Sequence, residues 1–436
     1  MTSHASNLQP REDGDPVILD SPLDLARPKV LLTDTDRRPY AARLALVLSE
    51  AGCDVSAICS AYGHPLLETD VVRRTFAYTA LRPMQALVGA IEAVDPDFIV
   101  PCDDRAVEHL HGLHARTAGG QGTRRKIADL IERSLGSPES YPTVSRRYEL
   151  LKIAQEEGLR VPQTELIASS EDIQALRSRQ EFPCVLKADE SWGGRGVRIL
   201  HNADDLETQF RDISRPFRLP RAIKRMAVNR DPFWLRPWWE GHKPAVIVQG
   251  FVKGRAANCA VFCWRGRVLA GIGVEVVSSD GPTGPATIVR VVDNPEMMRS
   301  AERLAQRLQI SGFFGLDFVI EDSTDNAYLI EMNPRTTPLC HLQLGAGRDM
   351  ITALWSQLSG QPTHESRCVT EKEMIAYYPQ ALSSPRELLE TSYLDAPIGS
   401  ARFLEEFLNP WPARSRLYRL ASYWDRMTYS KSTPEE

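Results

Sequence analysis

The 436-residue chain lacks any run of 18 uninterrupted apolar residues, so nothing in it reads as a membrane-spanning helix. It lacks a Cys-x-x-Cys pair. Its eight cysteines are scattered, which argues against a zinc site or a dense disulfide framework and fits a reducing compartment. It also lacks an excess of positive charge: 52 Lys and Arg stand against 57 Asp and Glu, a net of -5, so no global field would hold a nucleic-acid backbone. The polar lead over residues 1–26 has no signal-peptide apolar core, and the chain reads as cytoplasmic, with neither membrane nor nucleic acid as a partner. No Gly-x-Gly-x-x-Gly follows the first strand-like run and no P-loop occurs, which discounts NAD, FAD and Walker-type nucleotide sites.

What is present is an ordinary globular composition, 42% apolar and 25% charged, in a chain long enough for two or three domains at about 150 residues each. From Lys29 the runs KVLLTD, CDVSAIC and DFIVP read as short buried strands. Between them, Tyr40–Ala51 and Pro83–Val94 carry apolar residues at helical spacing. Residues 27–118 are therefore expected to form a small open parallel-sheet domain, with Asp34, Asp36, Asp103 and Asp104 at its strand ends. The polar stretch GGQGTRRK places a domain boundary near 119. Beyond it, Arg146–Gly158 and Met297–Leu308 read as helices, and PCVLKA, PAVIVQGFV and GLDFVI as strands.

Two constellations carry chemistry. Lys187 ends an apolar strand and is followed by Trp192, Gly193, Gly194, Arg195, Gly196 and Val197. Glycines let backbone N–H groups approach a phosphate and a lysine adds a mobile point charge, so the pair suits a triphosphate. The alternative is a tight hairpin beside a solvated lysine. In LDFVIEDSTDNAYLIEMNPR, Asp317 and Glu331 each interrupt an apolar run, with turn formers between, so the runs read as adjacent antiparallel strands that turn the two acids toward one another. Carboxylates in such strands cost about 3 kcal/mol or more unless a cation compensates. Magnesium suits Asp317, Glu331 and Asn333 as hard oxygen ligands, and manganese would fit the same set. Arg335 follows at the same two-residue period, with its donor fork near a transferred phosphoryl group; the alternative is a structural ion pair between Arg335 and one acid. Trp234, Trp238 and Trp239 read as packing against the body. His341 reads either as a contact to an acid substrate or as a hydrogen-bonded structural histidine.

The order Arg147, Lys187, SWGGRGV, VIVQGFVKG, Asp317 and EMNPR resembles the ATP-grasp superfamily over roughly residues 27–355, and EMNPR is close to the ending seen in carbamoyl phosphate synthetase and biotin carboxylase. The resemblance implies α/β and α+β architecture: the parallel-sheet domain, a two-lobed ATP-grasp region over 119–360 with lobes of about 145–250 and 251–360, and an extension over 361–436 packed on the body. It implies that Arg147 and Lys187 contact the phosphates and that Gly193, Gly194 and Gly196 cover them. Val248 and Gln249 would lie at the adenine edge. Asp317, Glu331 and Asn333 would hold magnesium, and Arg335 would stabilise the phosphoryl group in flight. Where many members place an acid for the ribose, this chain reads Gly254, Arg255, Ala256, Ala257, Asn258, and Asn258 would replace part of that contact.

The activity so implied is ATP-dependent activation of a small carboxylic acid as an acyl phosphate for attack by an amine, with release of ADP and phosphate. Phosphorylation of bicarbonate or carbamate, or a noncatalytic ATP-responsive module, are the competing readings. The segment ARFLEEFLNPW at 401–411 reads as cover for an apolar edge or as a homodimer contact.

Overall fold

The computed structural model describes residues 27–37, 39–179, 182–188, 196–215, 219, 223, 226, 233, 238–239, 244–281, 284–362, 366–397 and 401–408. Trp192, Gly193, Gly194, Arg195, Trp234 and the C-terminal run containing Leu417, Leu420, Tyr423 and Trp424 lie outside them.

Every strand side chain from Val30 to Asp34 is buried, as a parallel sheet covered on both faces requires. Strands β1 (Lys29–Asp34), β2 (Asp54–Cys59), β3 (Val72–Ala77) and β4 (Phe98–Pro101) pair in the order β3-β2-β1-β4, all parallel. Val30 and Leu32 meet Leu44 and Leu48 of helix Pro39–Glu50, while Leu31 meets Leu87 and Ile91 of helix Pro83–Val94 on the opposite face. Ile127, Leu130 and Ile131 of helix Thr123–Leu135 enter that second cluster. The first domain's core therefore continues past the expected boundary at 119; the polar stretch there is a loop between two helices of one core.

The second sheet contains β5 (Thr164–Ile167), β6 (Cys184–Ala188), β7 (Val197–Leu200) and β8 (Val246–Gly250) in the antiparallel order β5-β8-β6-β7. One face, with Leu186 and Val248, packs on helices Ser170–Arg179 and Leu206–Ile213. The alternate residues Val185, Lys187 and Gln249 face a cavity.

The third sheet runs β13-β12-β9-β10-β11-β14-β15, from β9 (Gly254–Trp264), β10 (Arg267–Ser279), β11 (Ala286–Val291), β12 (Gly312–Glu321), β13 (Ala327–Asn333), β14 (Met374–Tyr377) and β15 (Tyr393–Asp395). Met297, Ala301, Leu304 and Leu308, at helical spacing on Pro295–Leu308, cover Val261, Phe314, Leu316 and Phe318 on one face. On the other face Phe262 meets Phe98 of the first domain at 6.2 Å between ring centroids. The residues after 361 do more than pack on the body: β14 and β15 extend this sheet, and Phe403 and Phe407 of helix Ala401–Leu408 enter the core shared with the first domain. No helix among the described residues is long and apolar enough to cross a membrane.

Candidate active site

A cavity of about 1860 Å³ opens where the three sheets meet. Its wall from the second sheet carries Lys187, 7% exposed, on β6. Burial, reinforced by the Arg147 guanidinium, brings this ammonium down to about 8 against the opposing pull of Glu331 and Asp317. The loop after β6 starts from a hairpin, Ala188 N donating to Gly196 O at 2.9 Å. Arg147 begins helix Arg147–Glu156, and its Nη2 reaches Glu331 Oε1 at 2.7 Å.

The floor is the third sheet. Asp317 on β12 stands directly opposite Glu331 on β13 and Asn258 on β9, so the three form one row across the sheet. A local irregularity produces this. Leu329 lies in the core beneath, and strict alternation would send Glu331, two residues on, to the same face. The register instead skips Ile330, pairing Phe318 with Leu329 and Asp317 with Glu331, and this bulge turns Glu331 into the cavity while Met332 stays in the core. Burial and the facing Glu331 carboxylate push Asp317 up to about 6.

Asn333 Nδ2 donates to Asp317 Oδ2 at 3.1 Å, and its Oδ1 accepts from Arg335 Nη2 at 2.9 Å. A carboxylate only accepts and a guanidinium only donates, so the amide orientation follows from its partners. Arg335 Nε binds Asp104 Oδ1 of the first domain at 3.0 Å and Nη1 binds Thr336 O at 3.1 Å. Arg335 thus does have a structural ion pair, but with Asp104; the cation paired with the strand acids is Arg147, through Glu331.

Gln249, 2% exposed, lines the cavity with its Nε2 bound to Thr164 Oγ1 at 3.1 Å, which leaves its amide oxygen for another donor. Val248 buries its side chain in the core of the second sheet, because alternate residues of β8 face opposite ways, and the next residues to line the cavity are Gly250, Phe251 and Val252. Asn258 stands beside the acid pair, one strand from Asp317. Gly196 is buried at the start of β7. His341 takes the structural alternative, its Nε2 lying 2.8 Å from buried Asp395 Oδ2. Trp238 and Trp239 line the cavity, and Trp239 is 81% exposed, so the expected packing of this aromatic group against the body does not hold for it. Sequence reasoning missed Tyr40, Arg105, His109 and Phe233, which also line the cavity; the 105, 108, 109, 112, 116 spacing on helix Asp104–Thr117 was the available signal.

Among the described residues no three His, Cys, Asp or Glu converge as a metal-binding group. The donor set nevertheless fits one divalent cation: two opposed carboxylates, one with its acidity reduced by burial, and an amide oxygen with a remaining lone pair.

Residues 226–338 match the family model for the ATP-grasp domain. The chain is 26% identical over 288 residues to the carbamoyl phosphate synthase large chain of Xylella fastidiosa strain 9a5c, covering 62% of this chain and 23% of that one. It thus spans about a quarter of the length of such relatives. In structure it is similar to N5-carboxyaminoimidazole synthetase of Staphylococcus aureus complexed with ADP, at a TM-score of 0.55 and 14% identity over 78% of this chain and 79% of that one. Biotin carboxylase of Campylobacter jejuni gives 0.54 and 17% over 77% and 72%, and L-amino acid ligase of Bacillus licheniformis 0.51 and 12% over 76% and 74%. The chain has the ATP-grasp fold, and its sequence resembles that superfamily.

Proposed function

We propose that the chain is an ATP-dependent ligase that phosphorylates a small-molecule carboxylate and passes the acyl group to an amine, releasing ADP and phosphate. The observation that carries this reading is the convergence, in one cavity, of the cations Lys187 and Arg147 on the acid row Asp317 and Glu331. A buried ammonium and two facing carboxylates are held at a desolvation cost that a bound metal triphosphate offsets.

In this reading adenine lies against Gln249 and the Gly250–Val252 backbone, and the triphosphate runs toward Lys187 and Arg147. Asp317 and Glu331, with the Asn333 oxygen, would hold magnesium or manganese; when bound, the ion neutralises charge on the phosphate oxygens. Lys187 steadies the transferred phosphoryl. Arg335, with three of its five N–H groups fixed by Asp104, Asn333 and Thr336, aims the remaining two at the acyl phosphate. The amine then attacks the acyl carbon and phosphate leaves. Water must be kept from the phosphoryl group for this to be productive, a task for the walls of the cavity.

Purified protein with millimolar magnesium should release ADP and phosphate only when one acid and one amine are supplied. AMP formation, or indifference to every pair, would contradict the reading. A second reading, phosphorylation of bicarbonate, draws on the likeness in fold to a biotin carboxylase domain solved with MgADP and bicarbonate. Bicarbonate-dependent ADP release without any organic acid would select it.

A further inference from the structure

The nucleotide reading occupies only the part of the cavity between the second and third sheets. The remainder lies against the first domain, where helix Asp104–Thr117 turns a single stripe, Arg105, Glu108, His109, Gly112 and Arg116, toward the cavity at helical spacing. Its first residue, Asp104, holds Arg335 at 3.0 Å, so the stripe starts at the reacting end and leads away from it.

Two independent observations define what this half is built for. Arg105 is 6% exposed, and its guanidinium carbon sits 3.9 Å over the Phe233 ring, a buried cation stiffened by stacking. His109, bonded through Nε2 to Tyr78 Oη at 2.9 Å, is brought down to about 4 by burial and by Arg105, so it is a neutral ring at physiological pH. Separately, Leu81 at 71% and Trp239 at 81% are the two most exposed large apolar side chains among the described residues, and both line this one cavity. Exposed apolar groups scattered singly need no explanation, but two that line one cavity together with Met84 and Trp238 present apolar surface that gains free energy when covered.

Resting on the ligase reading, we propose that the acid substrate carries a bulky apolar or aromatic group: Arg105 and Arg335 flank its carboxylate, and Leu81, Phe233, Trp238 and Trp239 enclose its body. A small hydrophilic acid would leave these rings uncovered, and bicarbonate would have no use for them.

The test has a binding arm and a turnover arm. In the first, 3-phenylpropionate and acetate are titrated calorimetrically into the full chain saturated with magnesium and a non-hydrolysable ATP analogue. The expected result is binding of 3-phenylpropionate about a hundredfold tighter than acetate. Trp239→Ala, an exposed position whose loss leaves the core intact, should weaken 3-phenylpropionate about tenfold without altering the affinity for the analogue. Arg105→Leu should weaken both acids, and Arg105→Lys should restore part of the loss. Equal affinity for the two acids, or a Trp239→Ala effect confined to the nucleotide, overturns the proposal. In the second arm, hydroxylamine traps the acyl phosphate: its nitrogen attacks the acyl carbon, phosphate leaves, and a proton passes to solvent. Hydroxamate from bulky apolar acids ahead of acetate, glycine and glutarate supports the proposal, and the reverse order overturns it. Selective binding without hydroxamate or ADP sustains the subsite and refutes the ligase reading.

Discussion

Lys187 illustrates how a buried cation facing a cavity weakens the protein that carries it. Its ammonium is held at about 8 by burial, below the 10.5 of a free lysine, so below pH 8 the folded chain carries a desolvated charge that the unfolded chain keeps in water. Between about 8 and 10.5 the unfolded state binds more protons, and this contribution to stability rises with pH. Lys187→Met is therefore expected to unfold at a higher temperature than the natural chain at pH 7 without nucleotide, by an amount on the order of 1–2 kcal/mol, and the advantage should shrink toward pH 10.5. Magnesium ATP should reverse the ranking, since only the natural chain gains from it. Calorimetric scans of both proteins across pH check this; a variant less stable than its parent at pH 7 would contradict it. The place of Lys187 at the end of an apolar strand before a glycine loop was legible from the sequence. The pairing of Arg335 with Asp104, 231 residues away, was not, because no local pattern encodes which distant acid a cation will meet.

At the scale of elements, the extra residue Ile330 is absorbed in a bulge, so Glu331 stands opposite Asp317 although it lies two residues from core-facing Leu329. Deleting Ile330 makes Glu331 the immediate neighbour of Leu329, so regular alternation keeps Leu329 in the core and Glu331 on the cavity face, and the deletion should still bind magnesium ATP. Glu331→Gln should lose that binding yet remain nearly as stable as the parent. Denaturation and nucleotide titration of the two variants separate the outcomes, and a folded Ile330 deletion that no longer binds would contradict this register. The antiparallel pair was legible from two apolar runs around turn formers. The bulge was not: AYLIEMN also fits regular alternation, and only packing of both Leu329 and Met332 into one core imposes the skip. Which face of β8 meets the core was not legible for the related reason that a run such as VIV is apolar on both faces.

At the scale of the molecule, Asp395 joins three distant segments. Arg43 of helix Pro39–Glu50 and His341, from the loop after EMNPR, both contact this carboxylate on β15, and its side chain is 5% exposed. Burial would raise its pKa, but His341 and Arg43 outweigh burial and hold it below the ordinary carboxylate value. Its stabilisation is thus present above the unfolded carboxylate's pKa and is lost as pH falls through the lower folded value. Asp395→Asn should cost about 3–5 kcal/mol at pH 7 by leaving Arg43 and His341 without their anion, and should flatten the fall of stability in acid. Equal unfolding midpoints for parent and variant at pH 7 would contradict the tie. The first domain's parallel sheet was legible from its spacing, whereas the C-terminal strands, of four and three residues, are too short to carry a period and exist because an open sheet edge accepts them.

If this cavity moves a phosphoryl group from ATP to a carboxylate, an oxygen of the acid must end in the phosphate released. One turnover with an acid labelled in both carboxyl oxygens with oxygen-18 follows that atom. One labelled oxygen is expected in each inorganic phosphate, carried there when the amine displaces phosphate from the acyl carbon. Label in AMP, or phosphate released without label in the presence of acid and amine, would contradict it.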